Sequence, residues 1–281
     1  MIFDLHIHST ASDGQLTPAK VVAMARERHI DVIALSDHDT AAGVAEAQLA
    51  GQELGVKVIP AIELSADFSG ELHILGYHID IQHDAFSQFL LLQQKIRRER
   101  NIQMTQTLQK HGFDVTEDDF RAQAPGAGEN WGRSHIARAM VAKGLASSVP
   151  EVFERWIGYG KSCYVPRKKT SPEDCIRLIH SCGGLAVLAH PGLIEIPDHQ
   201  RFALIKALKE LGLDGIEAYY PQHNEMTASK FVQIADQLKL YVSYGSDYHG
   251  PARAGNDMLA GWDMHRPLAK AEPFLKRLME G

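Results

Sequence analysis

The sequence predicts an α/β chain: a closed or nearly closed (β/α) barrel of roughly seven strand–helix units with a helical insertion. An open doubly wound sheet is the rival arrangement. Three observations carry this expectation. Short apolar runs alternate with helical patterns over residues 1–80. The alternation stops between about 84 and 158, where the chain reads as almost wholly helical. It then resumes. The expected division is therefore barrel at 1–80 and 160–281, with a helical insertion at 81–159.

MIFDLHIH over 1–8 has strand character. Thr17 and Pro18 read as N-cap and first position of a helix running toward Arg28. DVIALSDHD over 31–39 is a strand ending in a polar cluster. The Ala-rich stretch from Ala41 to Leu54 is helical and is closed by Gly55. VKVIPAIEL (56–64) and ELHILGYHI (71–79) are the next strands. One long helix then ends at Gly112, followed by helical stretches near 116–123, 133–143 and 149–158, with PGAGENWG (125–132) as a loop among them. Ser171, Pro172 and Asp174 open another helix, with Asp174 able to complete a capping box. GGLAVLAHPG (183–192), LDGIEAYYP (213–221) and LYVSYGSDYHG (240–250) are the later strands, separated by helices near 200–211 and 224–238.

Composition narrows the function classes. A chain of 281 residues, 44% hydrophobic and 23% charged, buries a sizeable core and is not mainly disordered. A net charge of −6 argues against a broad basic face for long duplex DNA. Cys163, Cys175 and Cys182 show neither paired metal spacing nor a disulfide framework. MIFDLHIHST lacks the pattern of a signal peptide, and no apolar run approaches membrane-spanning length. The expectation is a cytoplasmic protein with no membrane segment and no implied protein partner.

The informative number is fifteen histidines. His6, His8, His38, Glu63, His73, His190, Asp247 and His249 all fall at expected carboxyl ends of strands, where barrel active sites assemble. His6 and His8 are two apart, so on a strand both point to one face. Asp247 and His249 repeat that spacing. One such histidine alone is ordinarily a packing or surface residue. His29, His111, His180 and His265 on helices, with His83 and His199 near helix starts, are read that way. The strand-end set is too consistent in residue type and position for packing alone. Asp13 and Asp37 taken singly also fit turn formers.

DLHIHS (4–9), SDHD (36–39), the isolated Glu63, ELHILGY (71–77), AHPG (189–192) and GSDYHG (245–250) resemble the motifs of the polymerase and histidinol phosphatase (PHP) family. That family is related to the amidohydrolases and has a distorted barrel of seven units. With GRSHIA at 132–137, the nearer resemblance is to the bacterial subgroup with a helical insertion. It implies a 3′,5′-nucleotide bisphosphate phosphatase or a 5′-to-3′ exonuclease on short RNA. It also implies ligand sets: His6, His8, Glu63 and Asp247 for one ion, Glu63 bridging to a second held by His73 and His190, and Asp13, His38 and His249 for a third. Many relatives carry His in place of Asp13.

Imidazole and carboxylate ligands without thiolate suit Mn, Zn or Fe, and Mn is favoured here, at two or three divalent ions. Such a cluster hydrolyses phosphoesters, and amides equally well in principle; three ions around one anion favour phosphate. Glu63, Asp247 and His249 are the expected catalytic set. For substrate, Arg133 opens a helix after the NWG loop, a good phosphate site, with His135 two residues on. His223 and Lys161 are expected to add positive charge, and Trp131 to offer a surface for a base. RKK (167–169) reads as a solvated run and RRER (97–100) as helix surface. The leading expectation is removal of the 3′-phosphate from a 3′,5′-nucleotide bisphosphate, with a small nucleotide or short oligonucleotide as partner. A 5′-3′ exonuclease, a histidinol phosphatase and a non-catalytic binding domain are the alternatives, and the filled ligand positions count against the last.

Overall fold

The computed structural model describes residues 1–251, 257–258 and 268–280. Seven strands form one sheet in chain order: β1 (Phe3–Ile7), β2 (Val32–Leu35), β3 (Lys57–Ala66), β4 (Leu72–Tyr77), β5 (Leu185–Leu188), β6 (Gly215–Tyr219) and β7 (Tyr241–Tyr244). The sheet curls until its ends nearly meet. His8 donates its backbone N–H to the Tyr248 carbonyl at 2.8 Å, and Ile7 bridges Tyr248 in parallel sense. The fold is thus a nearly closed seven-stranded α/β barrel.

Local chemistry explains the helices around it. In α1 (Pro18–Glu27) the Thr17 side chain caps the first turn, and Val21, Val22 and Ala25 are buried against the barrel. Gly55, at φ 70°, ends α2 (Val44–Leu54) in a left-handed conformation that costs glycine little. In α7 (Pro172–Ser181) the Ser171 hydroxyl accepts from the Asp174 N–H at 3.1 Å. The helices α8 (Asp198–Glu210), α9 (Glu225–Leu238) and α10 (Glu272–Glu280) complete the outer layer. No helix among the described residues is long and apolar enough to cross a membrane.

One expected feature is corrected. Not every strand is followed by a helix: β3 and β4 form an antiparallel hairpin, and β4 is also antiparallel to β5. Only five residues separate Ala66 from Leu72, far fewer than the dozen or so a parallel crossover needs. The reversal matters for chemistry. His73 lies at the amino end of β4, opposite Ser65. Because β4 runs backwards, that end faces the same way as the carboxyl ends of its neighbours.

Between β4 and α7 run α3 (Asp84–Lys110), α4 (Glu117–Ala122), α5 (Arg133–Ala142), α6 (Val149–Val152) and a π-turn over Phe153–Ile157. His83 caps α3 through its ring nitrogen. These helices enclose an apolar cluster of their own, including Met104, Leu108, Phe120, Trp131, Ile136, Met140 and Ile157. The barrel interior and its helical shell bury two further clusters. His265 lies outside the described residues.

Candidate metal centre

The polar residues of the strand tips converge on Glu63. Glu63 is fully buried on β3, and its two oxygens face different partners. Oε2 lies 3.3 Å from His6 Nε2, 3.3 Å from His8 Nε2 and 3.0 Å from His38 Nδ1. Oε1 lies 2.8 Å from His73 Nδ1 and 3.0 Å from His190 Nε2. Asp247 closes the first group, its Oδ1 3.1 Å from His8 Nε2 and 3.6 Å from His6 Nε2. On the far side of His8, His249 Nε2 stands 3.2 Å from Asp13 Oδ1, and the His8 and His249 rings stack at 4.0 Å.

Three sets of candidate ligand atoms fall within 4.8 Å of one another: His6, His8, Glu63 and Asp247; His38, Glu63 and His73; and His8, Asp13, His38 and His249. Bonds of about 2.0–2.2 Å set two ligands on one ion at most about 4.4 Å apart, so these sets have the size of ion sites. His190 reaches Glu63 Oε1 beside the second set. His8 and His38 each belong to two sets, so the three-site partition implied by the resemblance is less sharply drawn in the geometry.

The donor chemistry fits metal ions. Glu63 Oε2, Asp13 Oδ1, His38 Nδ1 and His73 Nδ1 are buried and have no hydrogen-bond partner among the described residues, although Glu63 Oε2 and His38 Nδ1 are only 3.0 Å apart. Lone pairs gathered this closely without hydrogen bonds are costly unless a cation joins them. Burial disfavours the Glu63 carboxylate, but His38, His73 and His6 outweigh it and hold the carboxyl well below its usual range. Asp13 is likewise held down, burial being overcome by His249 and His38. Burial opposes charge on His8, yet Asp247 and Glu63 raise it to about 9. Burial lowers His73 and favours its neutral, ligand-competent ring. The carboxylates thus create a negative potential strong enough to hold a buried imidazolium, and a divalent ion satisfies the same potential.

The centre opens into a cavity of about 800 Å³ whose far wall comes from the helices between β4 and α7 and from the segment that follows them. Arg97, Arg100, Arg133, Arg138, Arg167 and Lys169 line it. Asp39 pairs with Arg97 and, at 2.8 Å, with Arg167, and Glu71 pairs with Arg133. Arg138 donates to the Asp13 carbonyl at 2.8 Å. Arg100 is different. It is 7% exposed, its Nη1 donates only to Met104 Sδ, its Nε has no partner, and no carboxylate among the described residues pairs with it. Burial, with Arg97, Arg167 and Arg133 nearby, pushes its guanidinium well down. Gly132 lies beside these groups, and a Cβ there would stand 3.0 Å from Arg97 Nη1.

The expected substrate residues divide sharply. Arg133 lines the cavity, between Glu71 and the rings of Phe153 and Tyr164. His135 also lines it, but its Nδ1 accepts the Gly132 N–H at 3.0 Å and burial lowers it to about 4, so it is neutral and contributes no charge. His223 does not line it. It is buried, with Nε2 accepting the Gly192 N–H and Nδ1 against the Ala218 carbonyl, and burial lowers it too. Trp131 is 1% exposed and packs on Phe120 in the helical cluster, so it offers no face to a base. Lys161 is exposed and away from the cavity lining.

The reading of RRER as helix surface is corrected in the same way. Arg97 and Arg100 lie on the buried face of α3 with Gln93, Asn101 and Met104. That face was visible as a stripe: Met104 and Leu108 anchor it, and counting back by three and four reaches Arg100 and Arg97. RKK is half corrected, since Arg167 and Lys169 line the cavity while Lys168 is exposed.

Comparison with known proteins agrees with this geometry. A model of the PHP domain matches residues 4–144. The chain is 35% identical over 254 residues to the 5′-3′ exoribonuclease Rnm of Escherichia coli strain K12, spanning 89% of this chain and 86% of that protein. It is 34% identical over 256 residues to a 3′,5′-nucleoside bisphosphate phosphatase of Chromobacterium violaceum, spanning 91% of this chain and 90% of that protein. Among solved structures, an amidohydrolase from Chromobacterium violaceum with bound sulfate and no metal superposes with a TM-score of 0.90 at 32% identity, covering 100% of this chain and 96% of that one.

Proposed function

The chain belongs to the PHP domain family, and from that premise we propose that this phosphoesterase removes the 3′-phosphate of 3′,5′-nucleoside bisphosphates, giving a nucleoside 5′-monophosphate and phosphate. The observation that carries this reading is Arg100: a buried guanidinium that no carboxylate among the described residues pairs with, in the same cavity as the metal-ligand cluster. An unpaired buried charge is expensive to keep. A second substrate anion, not the one under attack, supplies its partner. Arg97, Arg133, Arg167 and Lys169 line the same cavity. A substrate with one phosphate, such as histidinol phosphate, leaves that end of the cavity unpaired.

The apolar stretch of the cavity wall is formed by Val149, Pro150, Phe153, Tyr164, Val165 and Leu193. In this reading Phe153 and Tyr164, not Trp131, face the base and sugar. We assign the ligands as His6, His8, Glu63 and Asp247; Glu63, His73 and His190; and Asp13, His38 and His249, holding two or three divalent ions, with Mn favoured. Divalent ions held there would supply an activated water near neutral pH and charge to neutralise the phosphoryl oxygens. The chain's own residues do the rest. Glu63, Asp247 and His249 would hold the ions beneath the reacting phosphate, and the arginines hold the other phosphate so that the 3′ ester meets the centre.

The choice of the 3′ ester rests on the Chromobacterium violaceum relative. A 5′-to-3′ exonuclease on short oligonucleotides is the second reading, favoured by the equal likeness to the Escherichia coli exoribonuclease. The test is kcat/KM with Mn for adenosine 3′,5′-bisphosphate, its 3′- and 5′-monophosphates and a 5′-phosphorylated trinucleotide. The bisphosphate is expected to exceed both monophosphates by at least roughly tenfold, the worth of one charge-assisted contact. Monophosphates that match it overturn the second-anion argument. A trinucleotide that clearly exceeds it installs the exonuclease in its place.

A further inference from the structure

Glu217 is fully buried in the middle of β6 and does not line the cavity. Both its oxygens are committed. Oε1 lies 3.0 Å from His6 Nδ1, and Oε2 accepts the His190 backbone N–H at 2.7 Å. The chain makes room for this contact at residue 245: a Cβ on Gly245 would stand 2.2 Å from His6 Cβ and 2.5 Å from Glu217 Oε1. The opposite nitrogen of the same ring, His6 Nε2, faces His8 Nε2, Glu63 Oε2 and Asp247 Oδ1 at 3.1, 3.3 and 3.6 Å. His190 takes an unusual backbone conformation, φ 27°, and from it directs Nε2 at Glu63 Oε1.

We propose that Glu217 is a positioning residue for two ion sites at once. It accepts the Nδ1–H of His6, which fixes that tautomer and leaves the Nε2 lone pair turned to Glu63 and Asp247. Through its other oxygen it holds the His190 backbone in the turn that aims the second ligand. It donates no ligand atom itself. A carboxylate kept only for packing in this interior would be replaced at little cost by an apolar side chain, whereas a carboxylate behind a ligating imidazole tunes and orients it. This inference rests on reading the Glu63 cluster as a metal centre.

The test is Mn binding to the purified full chain, wild type against Glu217→Gln, by equilibrium dialysis, with far-UV circular dichroism to confirm the fold. The amide keeps the shape but has one acceptor where the carboxylate had two. With its oxygen on the His190 N–H, its NH2 opposes the His6 Nδ1–H and drives the ring to the Nε2–H tautomer, which cannot ligate. With the amide reversed, the His190 turn loses its acceptor. Mn affinity is expected to fall 10- to 100-fold, roughly the usual effect of losing such a partner. Equal affinity in a folded variant overturns the role of Glu217 and leaves the metal centre standing. A wild-type chain that binds no Mn overturns both.

If Glu217→Gln does not fold, nitrogen-15 NMR of the zinc-loaded wild type decides the matter. A proton on His6 Nδ1 supports the proposal, and a proton on Nε2 overturns it.

Discussion

Glu63→Gln is expected to lose roughly 10³-fold or more in kcat, the rate equivalent of the several kcal/mol that metal-ion charge stabilisation supplies. The reason is position. Oε2 faces His6, His8 and His38 while Oε1 faces His73 and His190, so this one carboxylate stands between two groups of candidate ligands. An amide keeps one oxygen and turns an NH2 toward imidazole nitrogens on the other side. Loss of a ligand at the rim, such as Asp13, leaves the other sets intact and costs less. The check is kcat and metal content of Glu63→Gln beside a far-UV spectrum. A folded variant with near-normal kcat and full metal content contradicts the bridging position.

Arg100→Met is expected to move stability and function in opposite directions. Met keeps an unbranched apolar stem and removes the buried charge that no carboxylate among the described residues offsets. The substrate-free protein therefore gains about 1–3 kcal/mol, the range for relieving an unsatisfied buried polar group. The bisphosphate loses its partner, and KM rises roughly tenfold to a hundredfold, corresponding to about 1.5–3 kcal/mol for a charge-assisted contact. If the contact tightens at the transition state, part of the loss appears in kcat. Opposed shifts of this kind mark a group kept for binding at the expense of stability. Urea unfolding without substrate and steady-state kinetics with adenosine 3′,5′-bisphosphate measure the two halves. A variant that is less stable and has an unchanged KM returns Arg100 to a packing role.

Much of the barrel was legible because its signals are local. Short apolar runs between helical patterns marked the strands, Thr17 and Ser171 marked helix starts, and Gly55 marked a stop. The metal-ligand residues were legible for a related reason: imidazoles and carboxylates recurred at strand tips, and a barrel brings strand tips together. The direction of β4 was not inferred, though the five-residue link before it already excluded a crossover. His73 reached the right end of the barrel for a reason other than the one expected.

The substrate wall was less legible because it is made by tertiary packing. Trp131 sits in a Gly-rich stretch that looks like an open loop, yet the helices around it need an aromatic to fill their core. Arg97 and Arg100 look like solvated charge until the buried stripe of α3 is traced from Met104 backwards. Glu217 lay unremarked within LDGIEAYY. A glutamate in an apolar run is a signal in its own right, since a buried carboxylate needs partners, and here they are His6 and His190.

If the strand tips around Glu63 form a polynuclear metal centre, elemental analysis of the wild-type chain after loading with Mn and removal of free metal will detect it. Two or three transition-metal ions per chain is the expected result. Less than one ion per chain contradicts it.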